Sequence, residues 1–64
     1  MTEAQINDAI LYQLGVQLSG WHAIANGPEN EIAMRRAEIE LARTRIDALK
    51  NMLSLMAQIA ALGA

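Results

Sequence analysis

Apolar residues recur at helical spacing through two stretches of the chain, divided by one strong interruption at Asn26-Gly27-Pro28. Strict apolar–polar alternation is absent, so no strand is expected. In the first stretch Ile6, Ile10, Leu14, Leu18, Trp21 and Ile24/Ala25 step by three or four and predict a buried helix face. Thr2 suits the N-cap, with Glu3 just inside it and Gln5 placed to complete a capping box. Asn26 and Gly27 stop that helix. Pro28 opens the next, with Glu29 and Glu31 in a first turn whose dipole favours negative charge. The pattern predicts an all-α fold: an antiparallel helical hairpin in a single domain over 1–64, with a helix over about 3–25, a turn at 26–27 and a longer helix over about 28–62.

The second stretch carries a seven-residue repeat. Ile32, Ile39, Ile46, Leu53 and Ala60 occupy one heptad position, and Arg35, Ala42, Leu49 and Met56 the other, a coiled-coil seam with one charged break. Beside it runs a second apolar row of Met34, Leu41, Ala48, Leu55 and Leu62, joined by Met52 and Ile59. Together the rows span about 220°, against the roughly 100° that a surface helix needs. One partner helix cannot cover that arc, so two neighbours are expected. Arg36, Glu40, Arg43, Asp47 and Lys50 alternate in sign on the remaining face and read as a solvated intrahelical charge ladder. Glu31, Glu38 and Arg45 fall inside the apolar arc instead, as candidates for pairing between copies.

Length points the same way. At 1.5 Å per residue the helices measure about 35 and 52 Å, so the first covers the second only to about Asn51. Residues 52–64 are left without a partner in their own hairpin. A chain of 64 residues is marginal alone, and without cysteines or a metal site oligomerisation, or docking on a partner, is what remains to stabilise it. The sequence therefore predicts self-assembly, at least to a dimer, as a four-helix bundle or higher helical oligomer. Its predicted interface is Met34, Leu41, Met52, Leu55, Met56, Ile59 and Leu62.

The net charge of −2 and the pI of about 5.1 argue against general electrostatic binding to nucleic acid. Residues 9–28 lack charge, but Gln13, Gln17, Ser19, His22 and Asn26 make them too polar for a membrane span. The absence of cysteines and of a leader pattern fits a cytoplasmic protein.

Catalytic chemistry finds no support. Ser19 and His22 are three apart, but no acid orients the histidine. Glu29/Glu31 and Glu38/Glu40 are two apart and point to different faces, so neither pair can share a proton or a metal ion. No cofactor is expected. Asp8 and Tyr12, at i,i+4, are placed to bond. Gly15 and Ser19 form a small-xxx-small step, with Gly20 next to it, which predicts either a kink or the close approach of another helix. Trp21 lies on the apolar stripe and is expected in the core. The alternative is that Tyr12, Trp21 and His22, with Arg35 and Arg45 from neighbouring copies, contact a partner or ligand.

A non-enzymatic function follows: a small adaptor or inhibitor that binds another protein, of a kind common in phages and mobile elements. An oligomer with nucleotide-like ligand pockets between subunits is the first alternative. The second is RNA binding. A dimer of such hairpins resembles the Rop class of RNA-binding bundles in size and shape, and Arg36, Arg43 and Lys50 form a basic column, although Glu40 and Asp47 interrupt it.

Overall fold

The computed structural model describes residues 1–63 and shows two helices folded against one another. Helix α1 spans Glu3–Asn26 and helix α2 spans Ile32–Gly63. A single 3-10 turn, Glu29–Glu31, joins them. No strand occurs among the described residues. The molecule is a rod of 53 × 16 × 14 Å.

The capping box forms. The Gln5 backbone N–H donates to Thr2 Oγ1 at 3.2 Å, and the Thr2 N–H donates to Gln5 Oε1 at 2.8 Å. These bonds satisfy two donors that a helix start otherwise leaves open. At the other end the Gly27 N–H donates to the Ala23 carbonyl at 2.6 Å. A Cβ on Gly27 would run into that same carbonyl oxygen, so glycine is needed there for close approach. Pro28 does not sit inside the second helix as its position suggested. Its backbone is extended (φ −69°, ψ 144°), and it caps the 3-10 turn, which the Glu31 N–H to Pro28 carbonyl bond closes at 3.1 Å.

The α2 side of the core follows the expected heptad. Ile39, Ala42 and Ile46 are buried, and Ile32, Arg35, Leu49 and Leu53 are half-buried on the same line. The α1 side differs from the expected stripe. Ile6 and Gly20 are buried, and Ala9, Ile10, Gln13, Val16, Gln17, Ala23 and Ile24 are half-buried, whereas Leu14, Leu18 and Trp21 are exposed. The cause is geometric. Each four-residue step advances about 40° around a helix of 3.6 residues per turn, so the run Ile6-Ile10-Leu14-Leu18 winds away from a straight neighbour. The observed face centres on Ile6, Gln13 and Gly20, seven apart, which hold their bearing toward α2.

Gly20 packs against Ile39. Counting outward from that point along antiparallel helices sets Gln13 beside Ile46 and Ile6 beside Leu53, and Ile6 is 0% exposed. Glu3 and Met56 line the same small groove. Helix α1 therefore covers α2 to about Met56, one turn beyond the expected Asn51. The connection takes up 27–31, longer than a two-residue turn, and this slides α2 along α1. The unpartnered end of α2 is shorter than expected, and Ala64 lies outside the described residues.

Candidate functional site

The hairpin has two broad faces and two edges. One face carries an open groove lined by Tyr12, Gly15, Val16 and Ser19 of α1 and by Arg35 and Glu38 of α2. Its volume of about 450 Å³ falls in the range of small-molecule sites, but those are usually enclosed. Arg35 dominates its chemistry. Its guanidinium contacts Glu31 of the 3-10 turn at 3.6 Å and Glu38 of α2 at 3.3 Å. The Nε of Arg35 and the Oε1 of Gln13 are buried without a hydrogen-bond partner among the described residues. Two carboxylates neutralise one cation here, so the groove offers no free positive charge for phosphate.

The opposite face is lined by Leu14, Gln17 and Trp21 of α1 and by Glu40, Arg43, Asp47 and Lys50 of α2. Trp21 is 55% exposed and therefore not a core residue. The winding that carries Leu14 and Leu18 outward takes Trp21 with them. The charged column on α2 does not close into the expected ladder: among the described residues, the ion pairs are those of Arg35. Exposed charges gain too little from pairing to fix long side chains.

The residues expected to meet a ligand thus do not converge. Tyr12 and Arg35 share one groove, and Trp21 lines the other. His22 is exposed, and its Nδ1 lies 3.4 Å from the Asn26 Nδ2; it makes no hydrogen bond to Ser19 among the described residues. The Asn26 side chain also donates to the His22 carbonyl at 3.1 Å. Arg45 is exposed and lines neither groove. Asp8 and Tyr12 make no hydrogen bond to one another among the described residues. No group of three His, Asp or Glu side chains is placed to hold a metal ion among them, and no helix is long and apolar enough to cross a membrane.

The edges are more informative. Met34, Leu41, Met52, Leu55, Met56, Ile59 and Leu62 are all exposed along α2, Leu62 at 89%. The hairpin exposes 4878 Å², against about 4,000 Å² for a compact monomer of this mass. This row is marked in the sequence, because the second heptad column is visible without a structure. The outer edge of α1 is not. There Leu11, Leu18 and Tyr12 are also exposed; Tyr12 was expected to be available to a partner, whereas Leu18 was expected on the inner face. No family model matches the chain, and neither a curated protein nor a solved structure matches it.

Proposed function

We propose that this chain is a self-assembling helical interaction module, which binds another macromolecule as an adaptor or inhibitor once assembled. The observation that supports it is the set of exposed apolar side chains along α2: Met34, Leu41, Met52, Leu55, Met56, Ile59 and Leu62. The fractional exposures of its seven residues add to about four whole side chains. Burying those on each of two copies contributes about 12–24 kcal/mol at about 1.5–3 kcal/mol per side chain. Association costs about 4–15 kcal/mol, so a second copy is a favourable occupant.

The double substitution Leu55→Glu with Ile59→Glu tests this surface. It should reduce the mass in solution to that of one chain while circular dichroism retains the helix signal of the hairpin. Unchanged mass would remove α2 from the interface. A partner captured by the wild-type chain should be lost by the double variant. Equal capture by both would show that assembly is not needed for binding. The ligand-binding and RNA-binding alternatives gain no support from a neutralised Arg35 and a basic column interleaved with Glu40 and Asp47.

A further inference from the structure

A second seven-residue pattern runs along the outer side of α1, and at Leu11 and Gly15 it borders the groove shared with Arg35 and Glu38. Ala4, Asp8, Leu11, Gly15, Leu18, His22 and Ala25 step by four and three, the spacing that keeps one line of residues against a neighbouring helix. All seven are exposed, and Leu11 and Leu18 are 65% and 72% exposed. The line reads symmetrically about Gly15: a leucine on each side, then an ionisable residue, then an alanine.

Gly15 is not accounted for by the hairpin. Its φ is not positive, and a Cβ there would meet nothing within 4 Å. A glycine at an interior helix position weakens the helix relative to alanine. A helix from another copy crossing at this notch gives it a reason, because the missing side chain lets two backbones approach.

We infer that α1 pairs antiparallel with α1 of a second copy, with the two-fold axis at Gly15. This pairing sets Leu11 against the partner's Leu18 and Ala4 against the partner's Ala25. It also sets Asp8 against the partner's His22, and two-fold symmetry repeats that contact. Within one chain Asp8 and His22 are about 21 Å apart along the helix, and Asp8 makes no hydrogen bond or ion pair among the described residues. His22 is prepared for this role. The Asn26 amide lies against Nδ1, which leaves Nε2 as the ring nitrogen without a partner among the described residues and open to a carboxylate. A parallel pairing would stack Asp8 on the partner's Asp8, like charge on like. The inference rests on the self-assembly reading but uses a different helix, so the two surfaces can fail separately.

The chain has no cysteine, which allows a clean cross-linking test on the full chain. Leu11→Cys and Leu18→Cys chains are oxidised separately and as a mixture. The mixture should yield a disulfide-linked dimer containing one chain of each variant. Either chain alone should not link, because its two introduced thiols stand about 10 Å apart along the axis, beyond the roughly 7 Å reach of a disulfide. Self-linking of either chain alone would overturn the antiparallel pairing. No link in a mixture that remains helical would overturn the contact altogether. As a second readout, Asp8→Lys should weaken assembly at least tenfold, and the exchange of Asp8→His with His22→Asp should restore it. An Asp8→Lys chain that assembles as tightly as wild type contradicts the pairing. The same cross-link in the Leu55→Glu, Ile59→Glu background separates this contact from that of α2.

Discussion

Gly20 of α1 and Ile39 of α2 approach so closely that a Cβ on Gly20 would stand 2.6 Å from Ile39 Cγ1 and 3.0 Å from its Cδ1. Ile39 is buried and β-branched, so it has little room and few rotamers with which to yield. Gly20→Ala should therefore lower stability by up to about 2 kcal/mol, an overpacking cost of about 1–3 kcal/mol partly offset by helix propensity. Thermal unfolding of Gly20→Ala, Ile39→Ala and the double variant checks this. The double variant should be more stable than the sum of the single losses predicts, by at least about 0.5 kcal/mol. Strict additivity would deny the contact.

Gly15 behaves differently within its own chain, where a new methyl group would meet only open space. Gly15→Ala should raise helicity, contributing up to about 1 kcal/mol. Gly15→Phe should retain helicity as well, yet lower the mass in solution by blocking the crossing of two α1 helices. If Gly15→Phe assembles like wild type, that crossing does not occur.

Two polar side chains interrupt the inner seam. Gln13 and Arg35 each bury one atom without a partner among the described residues. An unsatisfied buried polar atom costs about 1–3 kcal/mol, so Gln13→Leu should raise the unfolding temperature by relieving that cost. Arg35→Leu should be neutral or mildly stabilising, because its ion pairs are partly exposed and each contributes at most about 1 kcal/mol. A loss above about 2 kcal/mol in chemical denaturation would mean that Arg35 holds more than its two glutamates.

The capping box at Thr2 governs the turn that covers the far end of the seam. Thr2→Ala should cost about 0.5–2 kcal/mol. Faster amide hydrogen exchange should appear in the first turn of α1, near Ile6. Unchanged protection there would show that packing alone fixes this end.

The sequence and the structure agree on α2 because its heptad has large residues in register. Ile32, Ile39, Ile46 and Leu53 define a face without help from their surroundings. Helix α1 was legible at its ends, where Thr2, Gln5 and Gly27 act locally. Its inner face was not. The largest apolar residues, Leu14, Leu18 and Trp21, follow a four-residue step that winds around the helix, while the face that packs is marked by Gln13 and Gly20, a polar residue and one without a side chain. Hydrophobicity alone points away from such positions. A constant seven-residue interval points to them. The candidate surfaces divide in the same way: the outer row of α2 was visible in the sequence, and the outer line of α1 emerged only when its inner face was known.

The hairpin leaves apolar side chains exposed along both helices, and we propose that other copies of the chain cover them. Native mass spectrometry at micromolar concentration, supported by light scattering, measures this directly. A folded species of at least two chains is expected, with no appreciable single chain. A helical, cooperatively unfolding protein with the 7.0 kDa mass of one chain would contradict it.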